Sequence, residues 1–410
     1  MQREEDPNAS ADQRTPSADF GVRLRELRLG KGWRIRELAT LTAISAGQIG
    51  NLEHGRRTPK GDTAEILDAA LDAGGELIAL AAGRAAAGAE ARARSRLAIS
   101  QTSHTGSAQD AESLLHTYGD VLDSLRGLGR TAGPRPVLGT LRASARTLSD
   151  TARELRGPDA DAVWALAARY AEYTGWMLEE AGDHTGALRW THQAVTWGAR
   201  GGDETVAAYA LVRRALIAQH RGDPRATVDY ARRAAAHPAA TTRIRAHAAR
   251  REAQGHALLG DHEACHRALE RSARLMDARS EPPAPDWGPR ADRETSRLIE
   301  ASCLLALRHF ESAADLFHAD LDTPRATTPA TAENAITRFR IRQATAHAGI
   351  GLPDTGCDLL DPLLPTIRRL DSATIRAELA AFVTEARRHR LGRGEDDFLT
   401  DLAAVIRPSD

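Results

Sequence analysis

Residues 45–55 have the sequence SAGQIGNLEHG, and this stretch has the features of one short helix with a defined start and end. Ser45 is a good N-cap, and the glutamine three residues later is a suitable capping-box partner. Ile49 and Leu52 would form the buried side of the helix, and Gly55 would end it as the C′ glycine. The stretch therefore predicts a capped helix of about two turns.

The residues before this helix contain two further helical patterns. Phe20, Leu24 and Leu27 recur at i, i+4 and i+7, which places them on one helix face. The next pattern, in WRIRELATL, places three residues inward: Leu38, Ala39 and Leu41. We expect three short helices in succession, separated by glycine, serine and proline.

This order and spacing resemble the Cro/CI-like (XRE) helix-turn-helix family. The matching positions are Leu24-x2-Leu27, Glu37-Leu38-Ala39 and Ile44-Ser45-x3-Ile49-x2-Leu52-Glu53-x-Gly55-x3-Pro59. The resemblance implies a small five-helix DNA-binding domain over residues 19–81, with the helix after Ser45 lying in the major groove. The turn before that helix has Ala43 where the family often has glycine, and the second helix begins with Arg34-Ile35 rather than a small polar residue and glutamine.

The first positions of the predicted recognition helix, Ala46 and Gly47, are unusually small. Such residues offer at most methyl or close backbone contacts to bases, so Gln48 and Asn51 are the best candidates for hydrogen bonds to base edges or phosphates. The sequence therefore predicts few direct contacts to bases.

The charge of this region favours binding to a nucleic acid. Between Gly21 and Lys60 there are nine basic and three acidic residues, a local balance of +6 in a chain whose formal net charge is −1. Basic side chains beside the helix would neutralise phosphates and set the register on the duplex. The candidate DNA-contacting residues are Arg34, Arg36, Ser45, Ala46, Gly47, Gln48, Asn51, Arg56, Arg57 and Lys60. The alternative is a solvated basic face without a partner.

The rest of the chain predicts an all-α protein with a helical repeat domain. The polar residues 1–18 suggest a disordered arm, residues 82–110 a linker, and residues 111–407 an almost continuous helical pattern. A Gly-Asp pair starting at Gly182, Gly222 and Gly260 recurs at intervals of 40 and 38 residues. Looser versions follow at residues 308–310 and 350–353, and residues 281–289 (EPPAPDWGP) predict a loop. Such periods are typical of stacked helix pairs.

The repeats resemble tetratricopeptide repeats, although they are longer than usual for that family. The small residues expected at the close-packing positions are Gly175, Ala187, Ala194, Ala215, Thr227, Ala234, Ala253, Cys265 and Ser272. The resemblance implies a ligand groove lined by Arg169, Glu172, Trp176, Tyr209, Gln219, His220, Arg250 and Gln254; Glu179 and His247 fall on the same side. These side chains could instead face solvent or a dimer partner. The aromatic residues Trp164, Tyr170, Tyr173, Trp176, Trp190 and Trp197 are expected in the core rather than in a pocket.

One motif indicates a different chemistry. Residues 262–266 match H-E-x-x-H, in which two histidines one helical turn apart bind zinc and Glu263 acts as the base. His262 and His266, however, follow directly on the Gly260-Asp261 turn, and Cys265 occupies the small packing position of a repeat. A repeat helix is therefore the favoured interpretation, and a zinc peptidase is the less favoured one.

Together these features predict a transcriptional regulator that binds double-stranded DNA as a homodimer. Its repeat domain would sense a small-molecule or peptide effector or mediate dimerisation. The presence of a single asparagine in the repeats, Asn334, weakens the case for a peptide. The alternative is a repeat scaffold tethered to DNA. We expect no enzymatic activity, cofactor or metal. The three scattered cysteines, the absence of an 18-residue apolar run and the polar N-terminus favour the cytoplasm.

Overall fold

The computed structural model describes residues 16–42, 44–55, 57, 59, 61–71, 73, 76–77, 80–81, 108–277, 287, 293–322 and 333–407. Every regular element in these ranges is helical, which confirms the all-α prediction. The chain divides into two compact units, Met1–Ala89 and Glu90–Asp410. In the described part of the chain, no helix has both the length and the apolar character needed to cross a bilayer.

The N-terminal unit contains four short helices: α1 (Pro16–Gly30), α2 (Ile35–Thr42), α3 (Ala46–Glu53) and α4 (Gly61–Leu71). Residues 76–77 and 80–81 are also helical. The arm predicted for residues 1–18 lies outside the described residues up to residue 15, but residues 16–18 belong to α1. Proline suits a first helical turn, because its φ is already close to the helical value and its missing N–H has no intrahelical partner there.

One apolar cluster joins these helices. Phe20 and Leu24 from α1, Leu38 from α2, and Ile49 and Leu52 from α3 are at most 1% exposed. The spacing in the sequence predicted these five positions as core, and the structure confirms them. Helices α1, α2 and α3 are thus held together because each of them buries one side against the same core.

Leu41 is an exception, since it was predicted to point inward and is 61% exposed. The buried side of α2 consists of Leu38 and Thr42, with Ile35 and Ala39 partly buried beside them. At 3.6 residues per turn, Leu41 is rotated by about 100° from the centre of that side. The prediction that Leu41 is buried was therefore wrong, because this residue lies beyond the edge of the buried side of α2.

The C-terminal unit is a chain of helices. They are α5 (Ala108–Ala132), α6 (Arg135–Glu154), α7 (Gly157–Glu180), α8 (His184–Arg200), α9 (Thr205–His220), α10 (Pro224–Ala236), α11 (Thr242–Leu258), α12 (His262–Asp277), α13 (Arg293–Ala306), α14 (Phe310–Leu321), α15 (Glu333–Gly349), α16 (Pro353–Leu360), α17 (Leu364–Leu370), α18 (Ala373–Ala386) and α19 (Arg393–Ile406). A 3₁₀ turn, Asp361–Leu363, joins α16 to α17. The predicted linker, 82–110, lies outside the described residues up to 107; its last three residues already belong to α5, which opens with the strong helix former Ala108.

The Gly-Asp pairs end one helix and begin the next, as the sequence predicted. Gly182, Gly222 and Gly260 have φ values of +87°, +73° and +75°, a conformation that side chains rarely adopt. The following aspartates, Asp183, Asp223 and Asp261, accept hydrogen bonds from the backbone N–H three residues later at 2.7, 2.9 and 3.0 Å. Each pair is thus a helix stop followed directly by an N-cap.

The two looser versions of this turn also end helices. Arg308 has a φ of +64° although it is not glycine, and Gly351 has a φ of +89°. Of the predicted loop over residues 281–289, only Trp287 lies within the described residues. The small packing positions named above are buried throughout, which confirms the helix pairing that the repeats predicted.

The helices of the C-terminal unit close into a ring. The hydroxyls of Ser372 and Thr374, at the start of α18, donate hydrogen bonds to Glu180 Oε2 at 2.6 and 2.7 Å, at the end of α7. Nearby, Gly133 has a φ of +76°, and a Cβ atom there would lie 1.9 Å from the carbonyl oxygen of Leu370. Only glycine fits this point of closure. Helices α7, α9, α11, α13, α15 and α18 then contribute residues to one partly enclosed cavity.

Candidate nucleic-acid interface and ring cavity

Helix α3 has a defined start and end. Ser45 has an extended backbone, and its Oγ accepts a hydrogen bond from the backbone N–H of Gln48 at 3.3 Å. Gly55, with a φ of +66°, follows the C-cap residue His54. The Ser45 N-cap and the C′ glycine predicted from the sequence are confirmed, whereas the Gln48 side chain forms no capping-box hydrogen bond back to the backbone of Ser45. The exposed first turn of α3 therefore presents backbone N–H groups and the positive end of the helix dipole, both of which favour an anion.

The solvent-facing side of α3, which we call its outer face, is made of small residues. Gly47 and Asn51 lie opposite the buried Ile49 and Leu52, and a Cβ atom built on Gly47 meets no atom within 4 Å. The same open space surrounds Gly50, the next small residue along this face. Another macromolecule could therefore approach the α3 backbone closely.

Polar groups flank this outer face. Gln48 is exposed, and Ala46 and Asn51 are half-buried. His54 is exposed, and its Nδ1 lies 2.7 Å from the carbonyl oxygen of Gly50. Gly50 and His54 were not among the predicted contact residues, although their spacing from Gly47 in the sequence already places them on the same helix face.

The basic side chains near α2 and α3 are exposed. Arg34 is the N-cap residue of α2, and its backbone N–H donates to Glu37 Oε2 at 2.5 Å. In the described part of the chain, the side chains of Arg34, Arg36 and Arg57 form no salt bridge. Arg57 is anchored through its backbone, which donates to the carbonyl oxygen of Asn51 at 3.3 Å. The other two predicted basic contacts, Arg56 and Lys60, lie outside the described residues.

Arg28 is basic but does not belong to this surface. Its Nε and second terminal nitrogen donate to Glu53 at 2.6 and 2.9 Å, and its first terminal nitrogen donates to the carbonyl oxygen of Trp33 at 2.6 Å. Both side chains are buried, so this pair joins α1 to the end of α3. The local balance of +6 is unchanged, because one charge of each sign is removed, but Arg28 cannot contact a phosphate.

Arg23 is also held within the fold. Its guanidinium donates to both carboxylate oxygens of Glu76 at 2.8 and 2.9 Å, and to Glu26 at 3.0 Å. Hydrogen bonding to these carboxylates raises the pKa of the Arg23 side chain. The number of basic residues in the sequence therefore overstates the number that can meet a partner.

In the C-terminal unit, the predicted ligand groove is partly filled by Trp287. Its ring stacks on that of Tyr209 with 6.1 Å between centroids, and the Arg169 guanidinium lies 5.9 Å from it. Its Nε1 donates to the Thr205 hydroxyl at 3.0 Å and to Asp203 at 3.2 Å. Arg169 and Tyr209 are therefore engaged by the chain itself. The sequence placed Trp287 only in a loop.

Three further predicted groove residues are also used internally. Arg213, which was not among the predicted groove residues, lies 3.7 Å from Glu172 and 5.6 Å from the centre of the Trp176 ring. Burial raises the pKa of Glu172, although Arg213 opposes this effect. Arg250 is buried and donates to the Ser296 hydroxyl at 2.7 Å. None of these three groove residues lines the ring cavity. Glu172 and Arg250 instead have partners inside the ring, because a buried charge is costly without one.

The remaining three predicted groove residues, Gln219, His220 and Gln254, do line the ring cavity, which has a volume of about 310 Å³. Most of the wall is apolar, with small or aliphatic side chains from α11, α13 and α18: Ala257, Leu258, Leu305, Ala306, Ala373, Ala377 and Ala381. Leu258 is 48% exposed. The aromatic residues predicted as core do not line this cavity.

Two carboxylates at the cavity carry strongly shifted pKa values. Burial alone would raise the pKa of Glu179, but Arg213 at 2.6 Å and His220 at 2.8 Å lower it to about 2. Arg342 and Arg338 have the same effect on Glu378, whose pKa is also about 2. Both carboxylates are ionised at neutral pH and fix the inner helices to one another.

The H-E-x-x-H residues lie in the first turns of α12, directly after the Gly260-Asp261 turn, as the favoured repeat-helix interpretation predicted. His262 Nδ1 lies 3.1 Å from Nε2 of His309, and His266 lies 3.2 Å from Glu270. Both histidines are exposed, whereas Cys265 between them is buried. Within the described ranges, no group of three or more histidine, cysteine or acidic residues is arranged to hold a metal ion.

Two of the three cysteines lie together. Cys265 from α12 and Cys303 from α13 belong to one apolar cluster, and Cys303 also lines the ring cavity. Their thiols share a hydrogen bond, which lowers the pKa of Cys265 and raises that of Cys303. Their spacing in the sequence gave no sign of this proximity.

Comparison with known families identifies the N-terminal part of the chain. A family described as a helix-turn-helix domain matches residues 19–81, which contain most of α1 and the whole of α2, α3 and α4. No curated protein matches the chain. Residues 19–81 are thus similar to a DNA-binding module, and this similarity does not extend to the ring.

Proposed function

We propose that the chain is a transcriptional regulator of the Cro/CI-like type. In this proposal α3 lies in the major groove of double-stranded DNA, and the repeat domain senses a small molecule that changes the affinity for DNA. The observation that carries the proposal is the outer face of α3, which is open and lies in a helix-turn-helix domain. A regulator of this kind would act in the cytoplasm.

The contacts divide into two kinds. Gln48 and Asn51 would bond to base edges, and the backbone at Gly47 would lie close to the groove. The exposed guanidiniums of Arg34, Arg36 and Arg57, together with Arg56 and Lys60, would contact phosphates on either side. Ser45 and Ala46, in the first turn, complete the proposed interface.

We further propose that the protein binds DNA as a homodimer. One module of this size covers too little DNA for tight and specific binding, and helix-turn-helix proteins usually bind two half-sites about one helical turn apart. A ligand that binds one arrangement of the ring better would change the spacing of the two α3 helices.

A small-molecule effector fits the ring better than a peptide does. The repeats resemble tetratricopeptide repeats, in which peptides lie along an open groove. Here Trp287 fills part of that groove, and contacts between α7 and α18 close the ring. The remaining space of about 310 Å³ is at the lower end of the range for small-molecule pockets.

The test is to select duplexes from a random pool with the full chain and to footprint the selected sites. We expect an inverted-repeat footprint that a small-molecule cell extract alters. Asn51→Ala should weaken binding to the selected site more than binding to random duplex. Equal losses on both duplexes would contradict the role of Asn51, and the absence of any preference for duplex over heparin would contradict the whole proposal.

A further inference from the structure

His54 is the C-cap residue of α3 and lies on the outer face of that helix. Gly47 and His54 are seven residues apart, so they lie within about 20° of each other around the helix axis. Among the described residues, no atom comes within 4 Å of a Cβ built on Gly47 or on Gly50, so both positions are open. His54 itself is exposed. Its imidazole and the amide of Asn51 are therefore the two polar side chains on this face.

A hydrogen bond fixes which nitrogen of the His54 ring carries a proton. Nδ1 lies 2.7 Å from the carbonyl oxygen of Gly50, and the same oxygen accepts the backbone N–H of His54 at 3.1 Å. A carbonyl oxygen can only accept hydrogen bonds, so Nδ1 is the donor. In a neutral imidazole the other nitrogen then has no proton. Nε2 of His54 is therefore a hydrogen-bond acceptor on an exposed ring.

An acceptor of this kind can bond to few groups of a DNA duplex. Phosphate oxygens only accept hydrogen bonds, and so do O6 and N7 of guanine and O4 of thymine. The groups that donate in the major groove are the amino groups of adenine, at N6, and of cytosine, at N4. A neutral His54 therefore cannot bond to a phosphate through Nε2, whereas the guanidinium of Arg57 can. The chemistry of the ring limits its partner to an adenine or a cytosine.

We infer that His54 is a specificity-determining residue of the DNA interface, and that its Nε2 accepts a hydrogen bond from the amino group of one adenine or cytosine in each half-site. Every base pair has one such amino group in the major groove, and its position depends on the orientation of the pair. The contact therefore distinguishes A·T from T·A and C·G from G·C. This inference rests on the proposed function, because it needs α3 in the major groove.

The test measures the affinity of the full chain for the duplex selected from the random pool, at about pH 8, where imidazoles are neutral. N6-methyladenine or N4-methylcytosine is placed at one position of the duplex at a time. Both modified bases keep their base pairing and replace the amino hydrogen that faces the major groove. We expect methylation at one position of each half-site to weaken binding by about three- to tenfold, as expected for the loss of one hydrogen bond.

His54→Asn separates the roles of the two ring nitrogens. The asparagine amide can donate to the Gly50 carbonyl as Nδ1 does, so the unfolding temperature should be unchanged, but it has no group in the place of Nε2. This variant should bind the unmodified duplex about three- to tenfold more weakly, and methylation at the sensitive position should weaken its binding no further. His192→Asn, at an exposed position of α8, is the matched control and should bind like the wild type.

A second variant, His54→Lys, replaces the acceptor with a group that only donates. Lysine pairs with the O6 and N7 acceptors of guanine, so a new selection from the random pool should yield guanine at the sensitive position. This change of preference does not depend on how strongly His54→Asn binds.

Three results would overturn the inference and leave the proposed function standing. One is an equal effect of methylation on the wild type and on His54→Asn at every position. Another is selection of the wild-type site by His54→Lys. The third is a loss in His54→Asn that is the same for all duplexes and comes with a shallower salt dependence, because this would indicate a protonated ring on a phosphate. If the chain selects no duplex sequence at all, the proposed function fails and this inference fails with it.

Discussion

The two units of this protein use arginine in opposite ways. In the N-terminal unit, Arg34, Arg36 and Arg57 extend into solvent without a salt bridge in the described chain, and only Arg28 is buried with a carboxylate. In the C-terminal unit, Arg213 and Arg342 lie inside the ring and hold Glu179 and Glu378. Exposed arginines can meet a polyanion, whereas buried ones fix helices to each other. The abundance of arginine alone therefore says nothing about function.

The largest effect that follows from this contrast concerns the interior of the ring. Glu179→Ala leaves the buried Arg213 without its closest carboxylate, so we expect a loss of about 3–5 kcal/mol in unfolding free energy. Denaturant unfolding followed by tryptophan fluorescence measures this loss, because five of the six tryptophans are in the C-terminal unit. Glu263→Ala is the matched control, since Glu263 forms an exposed pair with Arg267 and should cost less than about 1 kcal/mol. Similar small losses for both variants would show that the interior pair is not structural.

Acid should weaken the same part of the molecule. The pKa values of Glu179 and Glu378 are about 2 in the folded chain, against an ordinary value of 4.5. Their stabilisation is therefore complete above pH 4.5 and is lost as the pH falls towards 2. Unfolding midpoints measured across this range should fall, and the fall should be shallower in Glu179→Gln. Identical slopes in the two proteins would contradict this account of the ring charges.

The exposed arginines should affect DNA binding and leave stability unchanged. Arg57→Ala removes one proposed phosphate contact, so the slope of log K against log salt should become shallower by about one, with a several-fold loss of affinity for any duplex. Arg23→Gln is the control, because Arg23 is already held by Glu76. An equal change in slope for both variants would mean that pairing within the fold does not decide which cations reach DNA.

The smallest expected effect concerns the two leucines of α2. Leu41→Gln should change the unfolding free energy by less than about 0.5 kcal/mol, because Leu41 is 61% exposed. Leu38→Ala, one helical turn earlier, should cost about 2–5 kcal/mol through the cavity that it leaves. Comparable losses would restore the original assignment of Leu41 to the core.

Local features were the part of the fold that the sequence could predict. The caps of α3, the helix stops at Gly182, Gly222 and Gly260, and the small packing positions each depend on residues a few positions apart. Leu41 shows the limit of periodicity, because an eight-residue helix leaves the edge of its buried face undetermined.

Distant contacts were not predictable. Arg28 and Glu53 are 25 residues apart, and the bond from Ser372 to Glu180 joins residues 192 positions apart. No local pattern encodes such pairs, so the ring closure, the position of Trp287 and the loss of five groove residues to internal contacts only emerge from the structure. The outer face of α3 was predictable because a capped helix with two known buried positions fixes its opposite side.

The most direct test of the central claim is the DNA affinity of Gly47→Glu in the full chain. The space around Gly47 is open, and glutamate is a better helix former than glycine, so the unfolding temperature should be unchanged or higher. The new side chain would block the close approach of α3 and repel phosphates, so affinity for the selected duplex should fall by about tenfold or more. Gly139→Glu, on an equally open position of α6, should leave affinity unchanged. Wild-type affinity in Gly47→Glu would contradict the claim that α3 is the surface that binds DNA.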